Sequence, residues 1–148
     1  MCAVQAAHYA PLLPERMAVH FGADGKPNGW ATRGSFVALD LGITGLLAVV
    51  FLGISLVSRS VKSESVNLPN KEYWMAPERR GQTVDFLARA FLWFGAATML
   101  LMLDVFGQVF RFNLSPSRGL AHPAASLAVY VCAALAWVAV FFRRFARK

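Results

Sequence analysis

Long apolar runs alternate with short polar, turn-rich segments. The first run, Phe36 to Val57, holds Asp40 as its sole charge. Roughly 20 helical residues cross a bilayer core of about 30 Å, so this run is long enough by itself. The second, Phe86 to Phe110, has an uncharged centre from Ala90 to Leu103. Arg89 can snorkel to the near surface, which leaves Asp104 inside the far half of a full-length span. The third, Ala124 to Phe142, carries no charge. The pattern predicts an all-α, polytopic membrane bundle of three transmembrane helices over 36–57, 86–110 and 124–142. Three such runs would leave a soluble chain of this size too little polar surface. Residues 1–19 contain Pro11 and Pro14 and no basic start, so they read neither as a signal peptide nor as a span. Only Val4 to Ala10 remains as a mostly apolar stub.

Composition agrees. Apolar residues make up 57% of the 148 positions and charged residues 16%, against about 45–50% and about 25% in soluble domains. This excludes a disordered chain and a disulfide framework and argues against a soluble enzyme. The net charge of +7 belongs to the membrane, because Lys and Arg collect on the cytoplasmic flanks of spans. Arg59, Lys62, Lys71, Arg79, Arg80 and Arg89 lie between the first two spans, and Arg143, Arg144, Arg147 and Lys148 follow the third. These ten face five on the other side, Arg16, Lys26, Arg33, Arg111 and Arg118. The count predicts a cytoplasmic loop at 58–85, a cytoplasmic C-terminus and an outward N-terminal segment. The charge therefore implies the lipid bilayer as partner and no nucleic acid. Cys2 and Cys132, one terminal and one mid-span, are not expected to pair.

Two segments carry motifs. Residues 12–34 contain Leu13-Pro14, His20-Phe21, Gly25, Pro27, Gly29 and Trp30. Asp24-Gly25 and Pro27-Asn28-Gly29 are strong turn signals, since Gly and Asn accept positive φ and Pro fixes its own. The segment thus reads as a short extended piece followed by tight turns, with Trp30 placed for an aromatic belt. Residues 67–80 contain Pro69, Asn70, Trp74, Pro77, Glu78 and Arg80. Pro69-Asn70 predicts a turn, Tyr73 and Trp74 suit the headgroup region, and Pro77-Glu78 suits the first turn of a helix. This loop reads either as one that docks on lipid and starts the second span or as a docking site for a cytoplasmic partner.

In that order, separated by one span, the two motifs resemble the domain-of-unknown-function family 1648, the membrane module found in SdpI-like immunity and signal-receptor proteins. The resemblance covers residues 12–85. It implies a bacterial inner-membrane protein that protects against a toxic peptide or receives a signal. It further implies binding through the outer motif (Pro14, His20, Phe21, Gly25, Pro27, Trp30) and a cytoplasmic regulator at the loop motif (Pro69, Asn70, Trp74, Pro77, Glu78). Members of the family usually carry a helix before the Leu-Pro motif, so a module lacking its first helix, with at most the end of it kept, is expected here.

The intramembrane carboxylates are the other candidates. A carboxylate inside a span costs about 2.5–3.5 kcal/mol on insertion scales, so each needs a partner or a function. Asp104, Gln108 and Arg111 share one helix face, and so do Arg33, Asp40 and Thr44 if the first helix begins early enough. Two such stripes facing each other would form a polar cluster. Its role is either Asp–Arg neutralisation that fixes helix rotation or a ligand- or proton-sensing site. Asp85 and Arg89 are placed to pair, and the ridge Ala124, Ala128, Cys132, Ala136 permits close helix packing within the chain or between copies. No catalytic motif, cofactor motif or metal-ligand spacing occurs, so neither an enzyme nor a metal protein is expected. Beside the SdpI-like reading stand an ion-coupling or transport component using Asp40 and Asp104, and a scaffold subunit of a membrane complex.

Overall fold

The computed structural model describes residues 1–58 and 60–146. Arg59, Arg147 and Lys148, which enter the charge count above, lie outside the described residues, as does the side chain of Arg118. A short helix α1 (Cys2–Tyr9) leads through a tight turn into strands β1 (Arg16–Phe21) and β2 (Pro27–Thr32). Helix α2 (Arg33–Val57) follows, then a one-turn helix α3 (Lys71–Trp74), the long α4 (Pro77–Leu114) and α5 (Pro123–Ala146). Helices α2, α4 and α5 are each long and apolar enough to cross a membrane. The all-α expectation holds, with one small two-stranded sheet added.

The hairpin refines the turn-rich reading. Gly25 takes φ +75°, and Lys26 N–H donates to Asp24 Oδ1 at 3.1 Å. This single turn reverses the chain, so Pro27-Asn28-Gly29 forms strand β2 instead of the second turn expected there. Pro27 is tolerated as the first residue of a strand. Gly29 lies opposite His20 at an irregularity in the register. A Cβ there would come within 2.9 Å of His20 Cβ, so the strands approach too closely for a side chain.

Each long helix begins or ends for a local reason. Thr32 Oγ1 accepts from Ser35 N–H at 3.2 Å, capping α2 three residues in. Pro77 opens α4, where its missing N–H costs nothing. Pro116 bars extension of α4 beyond Leu114. At 38 residues α4 is about 57 Å long, well beyond the 86–110 segment expected to cross lipid.

The chain divides into two compact units, Met1–Leu46 with Met99–Val129, and Leu47–Thr98 with Tyr130–Lys148. The core of the N-terminal unit joins Leu13 and Met17 to Phe36 of α2 and to Phe106, Val109 and Phe110 of α4. The core of the second unit joins Leu68, Met75, Val84, Leu87 and Phe145. In that unit α5 packs through Tyr130, Trp137, Phe141 and Phe145. Tyr130 bonds Thr98 at 2.9 Å, and Trp137 Nε1 donates to Ala90 O at 3.0 Å. The small-residue ridge Ala124, Ala128, Cys132 and Ala136 lies on exposed positions. The large aromatics took the packed face because their area and polar tips outweigh close approach.

The 67–80 motif belongs to the second unit and closes the end of α5. Asn70, at φ 50°, donates from Nδ2 to Phe145 O at 3.0 Å and to Ala146 O at 3.2 Å. Trp74 Nε1 donates to the same Phe145 O at 3.1 Å, and its ring meets Phe145 edge-on at 5.4 Å. Carbonyls in the last turn of a helix have no partner within it, and these two side chains supply one. Trp74 therefore spends its N–H on α5 instead of on a lipid headgroup. Arg79 stacks over Tyr73 at 4.0 Å, and Thr83 Oγ1 returns a bond to Trp74 O at 2.8 Å.

Two substitutions separate the parts of this cap. Asn70→Ala loses both bonds and puts alanine, which tolerates the left-handed region less well than asparagine, at φ 50°, and should cost about 2 kcal/mol. Asn70→Gly loses only the bonds and should cost about 1 kcal/mol. Denaturant titration in detergent micelles measures both, and equal losses would show that the backbone conformation at residue 70 carries no penalty.

Candidate functional site

The candidate site is built in the N-terminal unit, from α1, the hairpin and the ends of α4 and α5 that belong to it. Asn113, near the end of α4, holds the hairpin. Its Oδ1 accepts from Ala18 N–H at 2.8 Å, and its Nδ2 donates back to Ala18 O at 2.8 Å. One amide side chain thus satisfies both backbone groups of a buried strand residue. A second tie runs from α2. Arg33 N–H donates to Glu15 O at 2.8 Å, its guanidinium reaches Leu13 O at 3.1 Å, and it pairs with Glu15 at 3.2 Å. Tyr9 of α1 stacks on Phe110 at 5.4 Å, and Phe21 meets Phe112 edge-on at 4.8 Å.

Asp104, Gln108 and Arg111 do share one face of α4, and α5 completes their network. Asp104 Oδ2 accepts from Gln108 Nε2 and from Ser126 Oγ, each at 2.6 Å. Gln108 Oε1 accepts from His122 N–H at 3.1 Å. Arg111 stands 3.8 Å from Asp104 Oδ1. Beside this network lies a cavity of about 370 Å³ lined by Tyr9, Gln108, Arg111, Leu114, Ser115, Gly119 and Ala121. It presents one guanidinium and one aromatic ring to any ligand.

Asp40 stands apart. Asp40 and Thr44 are buried on the same face of α2, as the four-residue spacing predicts. Arg33, seven residues before Asp40, turns instead to Glu15, so the second Asp–Arg pair does not form. Glu15 wins because it lies in the extended segment that packs against the start of α2. Thr44 Oγ1 donates to the Asp40 backbone carbonyl at 2.7 Å and not to its carboxylate. Neither Asp40 carboxylate oxygen has a hydrogen-bond partner among the described residues. The two-stripe polar cluster is therefore one-sided: Asp104 is satisfied and Asp40 is not.

The remaining motif residues are placed as follows. His20 Nδ1 and Asn28 Oδ1 bond across the hairpin, on its exposed side. Trp30 is exposed, with Arg16 over its ring at 5.7 Å. Pro14 is exposed and Phe21 half-buried. Cys2 and Cys132 are both free thiols. Burial pushes the Cys2 thiol up, and the nearby Asp40 carboxylate adds to this against the N-terminal ammonium. Among the described residues no group of three His, Cys, Asp or Glu side chains could hold a metal ion.

Sequence reasoning missed Asn113, Ser126 and Gln5. Asn113 lies two residues beyond Arg111 at the end of an apolar span, where an amide reads as ordinary surface. Only the position of Ala18 gives it a role. Asn113→Ala leaves a buried N–H and C=O without partners, at about 1–3 kcal/mol each at most. Trypsin cleavage after Arg16 should then accelerate by about tenfold or more, a factor equal to ~1.4 kcal/mol. An unchanged digestion rate would show that the hairpin is held by its apolar contacts alone.

Comparison with known proteins gives one match. The model of the family described as a domain of unknown function, DUF1648, matches residues 1–44. No curated protein and no solved structure matches the chain. The matched segment runs through α1 and the hairpin to Thr44 on the Asp40 face of α2, and the Asn70/Trp74 loop lies beyond it. Residues 1–44 thus match the DUF1648 model, in a chain with three helices long and apolar enough to cross a membrane.

Proposed function

We propose that the chain is a small SdpI-like integral membrane protein that receives an external ligand, a toxic peptide or a signal, at its DUF1648-bearing unit. The cavity beside Arg111 carries this reading. It lies in the same unit as the matched segment and is walled by Tyr9 of α1, the end of α4 and the segment that joins α4 to α5. Arg111 is restrained, among the described residues, by a single contact of 3.8 Å with a half-exposed carboxylate, an ion pair of small worth. Its guanidinium is therefore available to a carboxylate or carbonyl of a peptide, while Tyr9 offers an apolar face.

The distribution of Lys and Arg supports an outward N-terminal unit and a cytoplasmic Asn70/Trp74 loop. With that orientation in a bacterial inner membrane, the cavity would face the side from which external peptides arrive. The loop is then the surface open to a cytoplasmic regulator or another membrane subunit. Trp74, fastened to the end of α5, gives such a partner a fixed surface.

Deleting the gene and challenging cells with candidate peptides tests the proposal. The deletion should sensitise cells to one peptide by about tenfold or more. Wild-type protein should restore resistance, and Arg111→Ala, expressed at equal level, should not, since loss of ~1.4 kcal/mol of binding is already tenfold. Unchanged sensitivity, together with no partner crosslinked to the loop, would contradict it.

A further inference from the structure

Two intramembrane carboxylates that look equivalent in sequence have opposite environments. Asp104 is half-exposed, accepts two side-chain hydrogen bonds and has Arg111 beside it. Asp40 has 0% exposure and no partner for either oxygen among the described residues. Its position explains the isolation. Asp40 lies seven residues into α2, on the face that carries Phe36 and Thr44. Helix α1 brings Cys2 close enough to interact with it electrostatically. In the same unit Gln5 of α1 has a buried Oε1 that is also without a partner, while its Nε2 points at Gly107 of α4. Among the described residues, the buried orphan side-chain atoms of the N-terminal unit are all acceptors: Asp40 Oδ1, Asp40 Oδ2 and Gln5 Oε1.

An isolated ionised carboxylate cannot persist in an apolar interior without a compensating charge or proton. The nearby ionisable groups do not supply it. On α2, Arg33 is engaged with Glu15 and Leu13 O. On α4, Arg111 is turned to Asp104. On α1, Cys2 is a thiol held above its ordinary value, chiefly by burial, and the N-terminal ammonium that acts on this thiol makes no hydrogen bond to either Asp40 oxygen. A set of buried acceptors with no donor calls for a small positively charged ligand.

We propose that Asp40 is the binding site of a small monovalent cation, a proton or a sodium ion, held beneath α1. The two carboxylate oxygens suffice for a proton. A sodium ion needs further oxygens, and Gln5 Oε1 is the other buried orphan acceptor described in this unit. Occupancy then controls the docking of α1, because an empty site leaves a bare charge under it. The proposal is independent of peptide reception at the Arg111 cavity, and Asp104 takes no part in it.

Infrared difference spectroscopy on the full chain in liposomes tests this. The protein is labelled with ¹³C at the carboxyl carbons of its four aspartates, Asp24, Asp40, Asp85 and Asp104. One arm steps the pH in potassium buffer. The other replaces potassium by sodium at constant pH. A carboxylic-acid band that appears and disappears with pH and is reduced at least tenfold in Asp40→Asn establishes the proton. A carboxylate shift on adding sodium, reduced to the same degree in Asp40→Asn, establishes sodium. If neither step produces a signal that depends on Asp40, the proposal fails. Should Asp40→Asn not fold, the Asp24→Asn, Asp85→Asn, Asp104→Asn triple variant leaves Asp40 as the only labelled aspartate. The same two steps must then still give a signal, and silence in both overturns the site. Peptide challenge of cells is a separate readout, so the failure of either proposal leaves the other standing.

Discussion

The N-terminal unit depends on the reciprocal pairing between the Asn113 side chain and the backbone of Ala18. A two-stranded hairpin is marginal on its own in water. Here both polar groups of Ala18 are satisfied by an amide fixed in the last turns of α4. Met17, next in line, can then be fully buried against Phe110 and Phe36. The start of α2 is set by the same hairpin, through the bonds of Arg33 to Glu15 and Leu13. The cavity beside Arg111 and the enclosure of Asp40 follow from that arrangement.

The second unit solves a related problem with similar means. Between helices in lipid no hydrophobic force selects one packing over another, since lipid tails are as apolar as the side chains. Specificity has to come from shape and from polar contacts. Asn70 and Trp74 close the end of α5, Tyr130 meets Thr98, and Trp137 reaches a backbone carbonyl of α4. In the N-terminal unit Ser126 joins α5 to Asp104. Few such groups are needed, because each would otherwise be an unsatisfied polar atom in hydrocarbon. The outward faces of α2 and α5, rich in exposed Leu and Val, are left to lipid.

The spans were readable because long apolar runs have one physical solution in a membrane. The helix start at Pro77 and the turn at Asn70 were readable because Pro and Asn restrict or permit specific backbone angles. The hairpin was not. Asp24-Gly25 and Pro27-Asn28-Gly29 are equally good turn signals by local chemistry, and only pairing with β1 decides that the second becomes a strand. Spacing placed Asp40 and Asp104 on polar stripes of their helices but could not rank them. Their difference arises from Ser126, which lies in the third expected span, and from Glu15, which takes Arg33 away. The small-residue ridge of α5 illustrates the same limit. Its spacing permits close packing, yet the aromatic face opposite makes the contacts.

If the hairpin is fastened as described, the backbone amides of Ala18 and Arg33 are held by tertiary bonds, whereas that of Lys26 is held only within an exposed turn. Amide hydrogen exchange on the full chain in lipid nanodiscs reads all three. The account predicts that Ala18 and Arg33 exchange as slowly as the neighbouring amides of α4 around Phe110, and far more slowly than Lys26. Exchange of Ala18 at the rate of Lys26 would contradict it, because the clamp that organises the N-terminal unit would then be open in solution.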